Sequence, residues 1–142
     1  MEILLVNLNL LGFANRDLKR LLEYCQVVSR VCGVPIPFNY PIVGADSFRT
    51  ATGVHAAAIA KAVSQGDTWL ADRVYCGVPA SMVGRQQEIE VGPMSGRANV
   101  VFCLAKLGIT SPAPELVQKI LERAKSESRL LTLDEIREMA RT

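Results

Sequence analysis

Histidine is almost absent from this chain: His55 is the single one among 142 residues. A site built from several imidazoles is excluded, and proton chemistry near neutral pH has one obvious candidate. Cysteine is sparse as well, with four residues at positions 25, 32, 76 and 103, no C-x-x-C pair and one histidine to help them, so a zinc site is not expected. Cys25 and Cys32 are seven apart and should share a helical face with Leu18, Leu21 and Val28, as buried thiols in keeping with a reducing compartment. Aromatic residues amount to 6%, so the apolar mass is aliphatic and favours helix packing. No run of about 18 apolar residues is present, which argues against a membrane span. Neither sign of charge dominates: the formal net charge is +2, and residues 112–142 carry six acidic and six basic side chains. That is the pattern of a solvated face and argues against nucleic-acid binding. The opening residues show neither a basic region nor a small-residue cleavage site, so a secretory leader is not expected and the cytoplasm is the expected location. Internal repeats, low-complexity tracts, G-x-x-x-x-G-K-[ST] and paired histidines are also missing.

What remains is a chain long enough for one ordinary domain or two small lobes. Residues 1–11 are apolar at eight positions with no clear polar stripe, and a helix of that kind must be surrounded by other protein. Asn15 is a plausible cap for an amphipathic helix carrying Leu18, Leu21, Leu22, Cys25, Val28 and Cys32, stopped by Gly33. Residues 34–44 contain Pro35, Pro37 and Pro41, which impose an extended connector. Asp46 or Ser47 can cap a helix over 48–62, on whose broad face Phe48, Ala51, Val54, His55, Ala58, Ile59 and Ala62 lie together. Gly66-Asp67 ends it, and residues 68–74 form a short helical turn. Residues 87–91 alternate polar with apolar and are the best strand candidate, with no obvious pairing partner. Helix returns from Ser95, with Val100, Val101, Leu104 and Leu107 on one face and Gly108 as its stop. Ser111-Pro112 should open the next helix. Thr132-Leu133-Asp134-Glu135 reads as a capping box for the last one. The fold class expected is mainly α, with minor strand content.

Two places could carry chemistry. His55 sits among alanines, where small side chains leave room for another molecule; the alternative is a histidine hydrogen-bonded at the edge of a core. Gly92-Pro93-Met94-Ser95-Gly96-Arg97 could cradle an anion on backbone N–H groups beside Arg97, or could be a turn and a helix cap.

In order and spacing, Asn39-Tyr40-Pro41-Ile42-Val43-Gly44, Phe48, Thr52-Gly53-Val54-His55, Tyr75, Val83-Gly84-Arg85 and Ser95-Gly96-Arg97 resemble successive signatures of one family. It is the alpha-isopropylmalate synthase and homocitrate synthase group of acetyl-CoA-dependent acyltransferases. The resemblance spans essentially the whole chain. The pattern departs from the family around Ser95-Gly96-Arg97, with Met94 before and Ala98-Asn99 after, and residues 63–72 lengthen the path from His55 to Tyr75.

The resemblance implies a piece of such an enzyme without its metal-bearing (β/α)8 barrel: a helical linker and two small subdomains. Residues 1–44 would be the barrel's last helix, the linker helix and the proline-rich connector. Residues 45–93 would be a first subdomain with His55, Tyr75 and a short strand, and 94–142 a helical second one. In the family these subdomains reach over the active site of a neighbouring subunit, so a homodimer is expected, with the barrel as partner. His55 would assist proton removal from the acetyl-CoA methyl group, Tyr75 would stand near the same centre, and Ser95, Gly96 and Arg97 would face coenzyme A. No metal or cofactor is expected on this chain alone; acetyl-CoA is substrate, and the divalent metal belongs to the barrel. The implied reaction is condensation of acetyl-CoA with 2-oxoisovalerate in leucine biosynthesis, with the chain alone inactive. Homocitrate or citramalate synthase-type chemistry, or a non-catalytic helical module for dimerisation and interdomain coupling, are the alternatives.

Overall fold

The structure, a computed structural model, describes residues 1–141. It is mainly helical, with a two-stranded parallel sheet and no barrel among the described residues. The elements are α1 (Glu2–Leu10), α2 (Leu21–Cys32), β1 (Arg49–Thr50), α3 (Gly53–Ser64), α4 (Thr68–Ala71), a 3-10 turn (Ala80–Val83), β2 (Glu88–Ile89), α5 (Arg97–Lys106), α6 (Pro114–Ser126) and α7 (Leu133–Arg141). They form two compact units, one made of Met1–Phe48 and Tyr75–Gln87, the other of Arg49–Val74 and the chain from Glu88 onward. The segment 45–93 is divided between them, because Phe48, Val78, Met82 and Val83 pack in the core of the first while Ala56, Ile59, Ala62, Ala71 and Ile89 cluster in the second.

In the first unit, Val6, Leu18, Leu21, Cys25, Ile42, Val43 and Val83 make the core. α1 buries Val6 completely and leaves Leu4 and Leu10 exposed, as are Leu11 and Phe13 just beyond its end. Its all-round apolar surface is thus covered on one side. α2 begins at Leu21, later than the Asn15 cap predicts. Residues ahead of it are committed elsewhere: Asn9 exchanges hydrogen bonds with the Arg16 backbone, and the Asp17 carboxylate accepts from Lys19 N, which holds them as a loop. Gly33, at φ 67°, ends α2 in the left-handed conformation that glycine adopts without cost. Cys25 is buried as expected but Cys32 is exposed. It lies in the last turn of α2, past the end of the core. All four cysteines are free thiols, and burial pushes Cys103 up to about 11.

In the second unit α5, α6 and α7 enclose Val91, Val100, Leu104, Val117, Ile120 and Ile136. The strand candidate finds its partner upstream: Arg49 pairs with Glu88 and Thr50 with Ile89 in parallel. That pairing also corrects the start of α3. Residues 48–52 are not helical, since Phe48 has φ 67°, Arg49–Thr50 form the strand, and Ser47, expected as a cap, donates its hydroxyl to Tyr40 O. α6 starts at Pro114, not at Pro112. A proline restricts the residue before it to extended backbone, and Ala113 obeys, with ψ 141°. Gly108, at φ 86°, follows the end of α5 as predicted.

The capping box of α7 is formed. Thr132 N donates to Glu135 Oε2 at 2.7 Å, Glu135 N to Thr132 Oγ1 at 3.2 Å, and the Arg129 guanidinium grips the same carboxylate. The Arg129 hydrogen bond is the main cause that lowers Glu135 from the ordinary 4.5 to about 2. A lowered carboxylate pKa contributes stability that is present above the ordinary value and is lost as pH falls through the folded one. The first turn of α7 is therefore expected to loosen between about pH 4.5 and pH 2. An NMR titration of the Glu135 side chain with amide exchange in α7 checks this; a midpoint near 4.5 would refute it.

Candidate functional site

The residues around His55 are set by how α3 begins. Thr52 is extended, at φ −78° and ψ 128°, and makes no side-chain cap, so the first N–H groups of α3 need another partner. Gly53 N finds one in Met94 O at 3.0 Å. A Cβ on Gly53 would stand 3.0 Å from Gly96 N, so the two chain segments meet backbone to backbone. His55 follows in the first turn of α3, half-buried. Ala56, Ile59 and Ala62 turn inward from the same helix, and Val54 points outward at 66% exposure. α3 starts later than 48–62 predicts, so Phe48 and Ala51 lie outside it.

The segment Ser95-Gly96-Arg97 lies in the same unit. Ser95 is buried, with its hydroxyl donating to Ala51 O at 2.7 Å and accepting from Gly92 N at 2.8 Å. Gly96 precedes α5, and its N–H donates to Asn99 Oδ1 at 3.0 Å. Arg97, the first residue of α5, is exposed. It stands with Lys61 at the rim of an open apolar groove of about 790 Å³ floored by Ala57, Ala60, Val101 and Phe102. Thus the structure brings Gly53, Ser95 and Gly96 together beside the helix start that carries His55. The sequence patterns pass over Asn99, which is fully buried and also donates from Nδ2 to Glu90 O at 2.8 Å. Its signal was faint: an asparagine three residues after a glycine, at the third position of a helix.

Tyr75 belongs to the first unit, where it is exposed. The connector of that unit is tightly built. Asn39 is exposed, whereas Ile42, Val43 and Gly44 are buried. Tyr40 Oη donates to Glu2 Oε1 at 2.7 Å, which holds the Glu2 carboxyl below its usual range and raises the Tyr40 phenol. Ile42 has φ 69°, a left-handed conformation costly for a β-branched residue. Arg85 fastens this bend: Nη1 donates to Gly44 O at 2.7 Å and Ile42 O at 3.3 Å, and the guanidinium lies 5.3 Å from the ring centre of Phe48. Arg85 thereby acquires a concrete structural role within the Val83-Gly84-Arg85 signature.

Over 130 residues the chain is 33% identical to the homocitrate synthase of Pyrococcus horikoshii, an alignment that covers 92% of this chain and 33% of that protein. It is 32% identical over 120 residues to the (R)-citramalate synthase of Aquifex aeolicus, covering 81% of this chain and 21% of the relative. A probable 2-isopropylmalate synthase of Ignicoccus hospitalis is 32% identical over 124 residues, at 85% and 29% coverage. The chain belongs to the homocitrate, citramalate and 2-isopropylmalate synthase family. It spans about a fifth to a third of the length of these relatives. No family model matches it.

There is one histidine, and no group of three His, Cys, Asp or Glu side chains among the described residues is placed to hold an ion. No helix of the described residues is long and apolar enough to cross a membrane.

Proposed function

We propose that the chain is the post-barrel segment of a 2-isopropylmalate synthase-like enzyme, acting in the cytoplasm as part of a homodimer. It would serve the joining of the acetyl-CoA methyl carbon to the carbonyl carbon of 2-oxoisovalerate. The likeness to acetyl-CoA-condensing relatives over 92% of the chain carries this reading. His55 supplies the imidazole that helps to draw a proton from the methyl group, and the Tyr75 phenol donates to the thioester oxygen as enolate character develops. Arg97 is the exposed cation of the Ser95-Gly96-Arg97 segment and is suited to a coenzyme A phosphate. Ser95 and Gly96 contribute there through backbone and shape, since the Ser95 hydroxyl is already engaged. Substrate pocket and metal come from a barrel, and the exposed apolar residues of α1 and the turn after it, among them Leu4, Leu11 and Phe13, are consistent with a surface that other protein covers. Homocitrate synthase and citramalate synthase relatives stand equally near, so the 2-oxo acid is the finest part of the proposal.

The test is a chimera in which this chain replaces the matching segment of the Pyrococcus horikoshii homocitrate synthase. Coenzyme A release with a panel of 2-oxo acids is expected from the chimera and not from the isolated chain. Turnover by the isolated chain, or an assembled and folded chimera without any, would overturn the reading.

A further inference from the structure

Ser95 and Asn99 are the buried polar residues among the described ones, and the proposed function uses Ser95 through its backbone alone and Asn99 not at all, so neither side chain has a role in it. A buried amide or hydroxyl costs free energy unless its hydrogen bonds are made, and here they are made to backbone alone. Asn99 holds Glu90 O and Gly96 N, the two ends of the turn 90–96. Ser95 closes the inside of that turn through Gly92 N and reaches across to Ala51 O. Met94 O, one residue earlier, takes the N–H of Gly53. The turn therefore grips residues 51–53 at two points, just where α3 begins, and does so where Thr52 provides no side-chain cap. Parallel pairing of Arg49–Thr50 with Glu88–Ile89, together with the Arg49 Nε bond to Glu90 Oε1 at 3.0 Å, aligns the two strands leading into this grip.

We infer that Ser95 and Asn99 are positioning residues for His55: by fixing the turn 90–96 they set where α3 starts and hence where the imidazole stands. The inference takes its functional meaning from the proposed role of His55, but its physical content does not depend on that role. Because His55 is the sole histidine, its imidazole gives a single set of NMR signals. In the folded full chain, Asn99→Ala and Ser95→Ala should each move the His55 Cε1–H resonance and speed exchange of the Ala56 amide by about tenfold, while the Ile120 amide in α6 keeps its rate. Leu21→Ala, a truncation in the separate core of the first unit, should lower stability without moving the imidazole signal. Should Asn99→Ala fail to fold, Ser95→Ala decides. An unmoved His55 resonance, or exchange that accelerates equally in α3 and α6, would overturn the inference. A His55→Ala enzyme with undiminished turnover would overturn the catalytic reading instead, and leave the positioning result standing.

Discussion

In the chimera with a family barrel, His55→Ala is expected to lower turnover by about a hundredfold or more, the usual scale for removing a positioned proton-transfer group. The loss should fall on kcat, with KM for acetyl-CoA little changed, because the imidazole is asked to act on a proton in flight and not to hold the thioester. His55 is half-buried. If its role is chemical, the fall in turnover comes with the dimer still assembled. His55→Gln sharpens the test, since an amide keeps much of the size and hydrogen-bonding capacity but cannot shuttle a proton. Steady-state kinetics and sedimentation on the same samples give the answer. Unchanged turnover with a broken dimer would mean that the chain serves assembly and not chemistry.

Gly44→Ala is expected to disrupt the first unit, at a cost of about 3 kcal/mol or more. A Cβ there would lie 2.5 Å from Tyr40 O, 2.6 Å from Phe38 O and 2.6 Å from Tyr40 N, all backbone atoms that no rotamer change can move aside. The surrounding bend is already held in place by Arg85 on Gly44 O and Ile42 O, so relief by backbone movement would break those bonds too. Gly33→Ala makes a useful contrast. Its Cβ would meet nothing within 4 Å, and the penalty there is the left-handed φ of 67° alone, about 1 kcal/mol. Urea denaturation of both variants should place the Gly44→Ala midpoint far below that of Gly33→Ala. Equal midpoints would mean that the connector yields more easily than its packing indicates.

Much of the helical framework is legible in short stretches of sequence. The stops at Gly33 and Gly108 and the capping box at Thr132 and Glu135 are read from a few adjacent residues, and each is present. The proline-rich stretch 34–44 is free of helix, as its prolines require, but it is bent into turns and not extended: Tyr40 N donates to Pro37 O and Gly44 N to Tyr40 O. Helix starts were less legible. Asn15, Ser47 and Ser111 all have capping side chains, yet α2, α3 and α6 begin elsewhere, because a cap competes with every other use of the same backbone. Asp17 turns the chain ahead of α2, Ser47 serves Tyr40, and Pro114 forces Ala113 extended.

The candidate site divides along the same line. His55 could be singled out because a lone histidine is visible in any sequence, and its segment could be matched to a family because the signatures are local words in a fixed order. By itself, then, the sequence determined the mainly helical class, the family, and the one imidazole worth testing, all of which depend on residue type and short spacing. Only the tertiary structure decided where α3 starts, which strand pairs with residues 88–89, and that Ser95 and Asn99 brace a turn. Those outcomes rest on contacts such as Ser95 with Ala51 and Arg49 with Glu90, 44 and 41 residues apart. Whether two such distant segments meet is settled by the packing of everything between them, and no local pattern encodes it.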